Sequence, residues 1–167
     1  ITLARFSEAF LVLRGQQLGL PMAWVPAVIL VMSLVYAASA YPAGLAAQYW
    51  SRRTLLASGL AVLIGADLVL ASADGIVLVL AGAALWGLHM GLTQGLLAAL
   101  VADAVPPERT GTAFGVFHLA TGVFLLLASA LAGLVWDRYG APATFLTGAA
   151  FSAVAVAGLL LTHRRYG

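Results

Sequence analysis

Three polar side chains recur along one line of a long apolar segment. Trp86, His89 and Thr93 stand at positions i, i+3 and i+7, which share one face of an α-helix. Histidine titrates near neutral pH. His89 is therefore suited to line a solute cavity, to carry a proton, or to stay neutral and hydrogen-bonded between helices. Gln94 is a polar neighbour of this line.

A second pair of reactive groups lies near the start of the chain. Arg5 and Glu8 are three residues apart in a stretch that we expect to be helical, so they would share a face and could form an ion pair. An unpaired charge inside a bilayer costs at least about 2.5 kcal/mol. We therefore expect either a structural ion pair or exposure to a watery solute path, where Glu8 could accept a proton or a cation.

The sequence contains no motif for catalysis or metal binding. His89, His118 and His163 lack the spacing of metal ligands, and there is no cysteine. The patterns G-x-S-x-G and H-E-x-x-H are absent. The net charge of +2 is dispersed, so no nucleic-acid partner is expected. We expect no cofactor and no enzyme activity.

The composition indicates that these polar groups lie in a membrane. The chain is 63% hydrophobic and 8% charged, whereas soluble domains carry about 25% charged residues. Apolar stretches of about 20 residues, the length that crosses a bilayer, recur along it. They predict an all-α, polytopic transmembrane bundle in contact with lipid. Its six helices are expected at residues 1–14 (truncated), 22–48, 54–73, 75–103, 110–136 and 142–163.

Small residues form a stripe on the fourth predicted helix, opposite His89. Gly87, Gly91 and Gly95 recur every four residues. Small residues let helix backbones approach closely in lipid. The stripe therefore predicts a helix-packing face, which is either static or a sliding contact.

The arginines are distributed unevenly between the two ends of the predicted helices. Two lie at one end, Arg14 and Arg138, and five at the other: Arg52, Arg53, Arg109, Arg164 and Arg165. Cytoplasmic loops are enriched in arginine. We therefore expect the turn 48–53, the loop 103–110 and the C-terminus to be cytoplasmic, in a bacterial inner (plasma) membrane.

Two stretches resemble the major facilitator superfamily of transporters. The turn "GLAAQYWSRR" resembles the family signature, roughly G-x-L-A-D-R-x-G-R-R/K, and matches it at Gly44, Ala47, Arg52 and Arg53. "VADAVPPERTGTAFGVF" resembles the family's loop between its tenth and eleventh helices. "GLAAQYWS" is also echoed by "GLVWDRYG" at the opposite membrane face, which fits two inverted three-helix repeats.

The resemblance implies the C-terminal six-helix half of a secondary transporter, from a truncated helix seven to helix twelve. Such a half would work by alternating access with an N-terminal six-helix half on a small-molecule substrate, and proton-coupled efflux is one form. Helices seven and ten would line the cavity, eight and eleven would face the other half, and nine and twelve would face lipid. A non-transporting membrane scaffold and an intramembrane enzyme are the alternatives.

The signature turn also predicts a cytoplasmic gate. The resemblance implies that an acid in this turn helps to lock one conformation, but Gln48 stands at that position and carries no charge. Arginines of the turn could instead pair with acids of the neighbouring loop, or could only set topology. The gate candidates are Gln48, Arg52, Arg53, Asp103, Glu108 and Arg109.

Two further polar residues lie inside predicted helices. Asp67 is about a turn and a half from the outer end of the third helix, where we expect local bonding near the headgroups. His118 lies near the middle of the fifth helix, where an interhelical hydrogen bond is expected.

Overall fold

A computed structural model describes residues 5–161. This range contains no strand, and the predicted all-α class is confirmed. Short 3-10 turns, Met22–Trp24 and Pro107–Arg109, precede the second and fifth helices. The helices are α1 (Ala9–Gln17), α2 (Val25–Ala46), α3 (Arg52–Ser72), α4 (Ile76–Asp103) and α5 (Thr110–Leu161).

Within residues 5–161, four helical segments are long and apolar enough to cross a membrane, and the last of them contains two predicted helices. α5 runs for 52 residues but is interrupted at Gly140, whose φ of 82° and ψ of 176° are not helical. We call residues 110–139 the first arm and residues 141–161 the second arm. The sequence predicted a longer break between residues 136 and 142. The structure needs one residue, because glycine tolerates positive φ and Pro142 is acceptable at the start of a helix.

α1 begins later than the sequence predicts. Residues 5–8 are not helical. The backbone N–H of Ser7 donates to Ser129 Oγ on the first arm at 3.0 Å, and Ser7 Oγ accepts from the N–H of Ala9 at 3.3 Å. Such side-chain bonds offer the backbone an alternative to the helix. Arg5 and Glu8 therefore do not share a helical face, and within residues 5–161 they form no ion pair shorter than 4 Å. Residues 1–4 of this segment lie outside the described range.

α4 lies at the centre of the bundle, between α2 and α3, and α3 also packs against the second arm. Aromatic rings tie the start of the chain to this core. The ring centroid of Phe6 is 5.3 Å from that of Trp86 and 5.6 Å from that of Phe145. Residue 5 is thereby held beside the middle of α4.

The three predicted packing glycines of α4 differ in their surroundings. A Cβ atom at Gly87 would collide with the backbone of Met32, and one at Gly91 with the side chain of Ser39, both on α2. A Cβ atom at Gly95 would meet no atom within 4 Å. Gly95 therefore departs from the prediction of a packing role, because the face of α4 at this level opens into a cavity.

Candidate solute cavity

A cavity of about 370 Å³ lies between the start of the chain, α2, α4 and the first arm. Small-molecule sites commonly have volumes from about 300 Å³ upward. The polar residues of its wall are Arg5, Tyr36, His89, Thr93, Gln94, His118 and Thr121. The structure thus brings together four candidates that the sequence placed on two separate segments: Arg5, His89, Thr93 and Gln94.

His89 bonds across helices and also contributes to the cavity wall. Its Nδ1 donates to the carbonyl oxygen of Gly59 on α3 at 2.8 Å, and the residue is almost fully buried. Thr93 Oγ1 donates to the backbone oxygen of His89, also at 2.8 Å. Gly59 permits this approach, because a Cβ atom there would collide with Thr93. Two of the roles predicted for His89, lining a cavity and forming a hydrogen bond between helices, are therefore compatible with one geometry.

Trp86 does not reach the cavity, although it shares the sequence line of His89. It is fully buried in the aromatic core beside Phe6, and its Nε1 has no hydrogen-bond partner within the described residues. Trp86 lies about one turn before His89 on α4, at a level where the aromatic core covers this face of the helix. The predicted polar line is thus divided between the cavity and the core.

Arg5 and Glu8 also separate. Arg5 is half-buried in the cavity wall, whereas Glu8, equally half-buried, does not line the cavity. The sequence predicted either an ion pair or exposure to a solute path, and Arg5 is exposed to the cavity. The expectation that Glu8 contributes to a solute path finds no geometric counterpart here.

The first arm contributes an aromatic side of the cavity that the sequence did not indicate. Phe114, Phe117, His118 and Thr121 lie at i, i+3, i+4 and i+7, on one helix face. The ring centroids of Phe114 and His118 are 6.1 Å apart with 25° between the planes. The expected interhelical hydrogen bond of His118 is absent from the described residues, because this exposed ring projects toward the cavity. The spacing was visible in the sequence, but it also suits a lipid-facing stripe.

An ion pair joins the candidate gate residues at the end of the bundle. Arg52 Nη2 lies 2.5 Å from Asp103 Oδ2 and links the start of α3 to the end of α4. The two side chains are 48% and 58% exposed, so water screens the contact. Gln48 is exposed in the turn before α3. Arg53 is the second residue of α3, and the short turn before α5 holds Glu108 and Arg109.

Comparison with known proteins identifies the family. The family model described as Major Facilitator Superfamily matches residues 7–167. This chain belongs to the major facilitator superfamily. An uncharacterised MFS-type transporter of Methanocaldococcus jannaschii is 30% identical over 169 residues, which cover 96% of this chain and 41% of that protein.

Two further relatives also align with this chain over only part of their own length. The MFS-type transporter ppzB of Metarhizium rileyi is 29% identical over 116 residues, which cover 70% of this chain and 24% of that protein. An uncharacterised protein of Mycobacterium bovis is 29% identical over 118 residues, which cover 71% of this chain and 28% of that protein. The chain therefore spans less than half the length of these relatives. The family and the apolar helices make it part of an integral membrane protein.

Arg14 is buried and binds the C-terminal end of α3. The sequence had indicated only a role for this arginine in membrane topology. Arg14 Nε donates to Leu70 O at 3.1 Å, and its Nη2 donates to Ala73 O at 2.7 Å. Carbonyls at a helix C-terminus lack intrahelical donors and carry partial negative charge. α3 has no basic residue in its own last turn, so Arg14 on α1 supplies the cation. The absence of a basic residue from the last turn of α3 is visible in the sequence and could have indicated that a cation from another helix binds there.

Asp67 on α3 differs from Arg14, because it is a buried charged residue type without a hydrogen-bond partner within the described residues. It is fully buried, and neither carboxylate oxygen has a hydrogen-bond partner within the described residues. A Cβ atom at Gly148 on the second arm would lie 2.8 Å from Asp67 Oδ2. The expectation of bonding near the headgroups is wrong, because the second arm covers this face of α3.

Proposed function

We propose that the chain is the C-terminal six-helix half of a secondary transporter that moves a small solute by alternating access. The observation that carries the proposal is the cavity at the middle of α4, with Arg5 and His89 in its wall. Ionisable groups at this depth are costly in lipid and usually line a path for solute or ions. A membrane protein that only served as a scaffold would gain nothing from such a cavity.

An N-terminal six-helix half would supply the opposite wall. The resemblance assigns α2 and the first arm to the contact with that half. Only 11% of the most apolar window of the α2 and α5 segments is buried, against 44% for α3 and 50% for α4, so both leave apolar surface for a partner or lipid. The relative from Methanocaldococcus jannaschii has more than half of its length outside the aligned region, which is room for such a half.

Proton-coupled export is part of the proposal, with His89 as the proton carrier. Its Nδ1 is engaged by Gly59, which leaves Nε2 as the ring atom available to exchange a proton. The proposal also sets the transporter in a bacterial inner membrane with the turn 48–53 and the C-terminus in the cytoplasm, as the arginine distribution favours.

Cysteine accessibility in the full-length transporter tests alternating access. A single cysteine replaces Gly95, which faces open space in the cavity wall of a chain that has no cysteine. Cysteines elsewhere in the full-length protein are first replaced. We expect an impermeant maleimide to label Gly95→Cys from either face of vesicles, in a ratio that a proton gradient shifts.

The matched control is Gly65→Cys on α3, which also faces open space but does not line the cavity. It should resist the reagent from both faces. Labelling of Gly95→Cys from one face only, or in a ratio that no gradient changes, would contradict alternating access.

A further inference from the structure

The cavity has a cationic side and an aromatic side, and we propose that it binds a small aromatic anion. The proposal rests on the transport function above and names the substrate class for the same site. Arg5 supplies the charge, and the first arm supplies the rings. Neither feature follows from membership of the superfamily.

The charge of the cavity wall has one sign. Arg5 is its permanently charged residue, and no aspartate or glutamate of the described residues lines it. Glu8 makes no ion pair with Arg5 shorter than 4 Å, so the electrostatic attraction between these two charges acts over a longer distance. Asp67 is enclosed between α3 and the second arm, away from the cavity. A bound anion would therefore supply the direct counter-charge that an arginine requires at this depth.

The hydrogen-bonding groups of the wall also favour an anion. Tyr36 Oη donates to Gln94 Oε1 at 3.4 Å, so the side-chain oxygen of Gln94 is engaged and its NH₂ group remains as a donor. The hydroxyl hydrogens of Thr93 and Thr121 are given to backbone oxygens of their own helices. The donors left for a solute are the Gln94 amide, one ring N–H of His118 and the guanidinium of Arg5, and the guanidinium can hold a carboxylate or sulfonate through two parallel bonds.

The aromatic side favours a flat solute. The ring centroids of Phe117 and His118 are 5.4 Å apart with the planes inclined at 65°, and Phe114 also stacks on His118. Aromatic solutes pack against such rings by offset stacking or edge-to-face contact. A planar ring system carrying one carboxylate matches both sides of the cavity.

Calorimetric titration of the full-length transporter in nanodiscs tests this with three probes that share one ring system. They are 2-naphthoate, 2-naphthylmethanol and 2-naphthylmethylammonium. We expect 2-naphthoate to bind at least about tenfold more tightly than the other two, since only the acid can form a charged hydrogen-bonded pair with Arg5. Arg5→Gln should remove this advantage and leave the binding of the alcohol unchanged.

Two variants keep the test independent of folding. Phe117→Leu should weaken the acid and the alcohol alike, because it alters only the aromatic side. Arg138→Gln removes an exposed arginine outside the cavity and should change nothing. Equal or tighter binding of the ammonium probe, or undiminished binding of 2-naphthoate by a folded Arg5→Gln protein, would overturn the proposal.

A lipid headgroup offers the same negative charge as a soluble anion. Nanodiscs with and without phosphatidylglycerol separate the two sources, and we expect the affinity for 2-naphthoate to be the same in both. Strong competition by phosphatidylglycerol would instead assign the site to lipid and overturn the proposal. If 2-naphthoate fails to bind while Gly95→Cys still reports alternating access, the substrate class is wrong and the transport function stands.

Discussion

The two sides of α4 are built on different principles. Toward α2 and α3 the helix packs through glycines, with Gly87 against the backbone of Met32, and through the bond from His89 to Gly59. Toward the first arm, between His89 and Ala98, it borders a cavity of about 370 Å³. One helix therefore serves both as a fixed part of the scaffold and as a wall for solute. We call these the closed side and the open side of α4.

The difference follows from the forces that act between helices in lipid. Without a hydrophobic effect between them, membrane helices associate through close van der Waals packing and interhelical hydrogen bonds. The closed side has both kinds of contact, and these hold His89 and Thr93 in position. Between α4 and the first arm the described residues form no hydrogen bond, so a solute can enter without breaking the scaffold.

Leucine substitutions at two glycines should show the largest difference between the sides. Gly87→Leu forces α2 away from α4, and overpacking of this kind costs about 3 kcal/mol. Gly95→Leu places the same side chain in open space. We expect a large drop in the melting temperature of the full-length protein for Gly87→Leu and little change for Gly95→Leu, which should instead weaken solute binding. Equal melting temperatures would mean that the two sides do not differ.

A smaller effect, of opposite sign, is expected at Asp67, where α3 packs against the second arm. Asp67→Ala removes a buried carboxylate whose oxygens accept no hydrogen bond within the described residues. An unsatisfied buried group costs about 1–3 kcal/mol, so the melting temperature should rise. Asp74→Ala is the control, since this acid is exposed just beyond α3 and its removal should change little. A clear fall for Asp67→Ala would show that the carboxylate is engaged in the full-length transporter.

The sequence predicted the all-α class and most helix positions because lipid imposes simple requirements of length and polarity. It did not predict where α1 begins, since that depends on a bond from Ser7 to Ser129, 122 residues away. It also predicted a longer break where Gly140 alone turns the chain. Local composition therefore indicates where helices lie, whereas distant contacts decide how they begin and end.

The cavity was partly predictable for a similar reason. Arg5 and His89 stand out because charge and polarity are unusual in an apolar segment. Phe114 and Phe117 do not stand out, because an aromatic residue in a membrane helix suits lipid as well as a solute. Gly95 has the same type and spacing as Gly87, and only the neighbouring helix distinguishes them. Residue type thus identified the polar groups, and spatial arrangement was needed to identify the rest.

The smallest effect on stability is expected at the ion pair that joins α3 and α4 beside the signature turn. Arg52 and Asp103 are about half exposed, so their coupling energy should be about 0.2–1 kcal/mol. A double-mutant cycle of Arg52→Ala and Asp103→Ala, followed by melting, measures it, and high salt should reduce it. Arg138→Ala, which removes an exposed arginine that is not a gate candidate, is the control for loss of one arginine.

The same cycle tests whether this contact is a gate. If the ion pair stabilises one conformation, each single variant should shift the two-sided labelling ratio of Gly95→Cys, and the double variant should shift it no further. Because the coupling is below about 1 kcal/mol, the ratio should change by no more than about fivefold. Variants that lower the melting temperature slightly but leave the labelling ratio unchanged would show that the contact only fastens the closed side of α4.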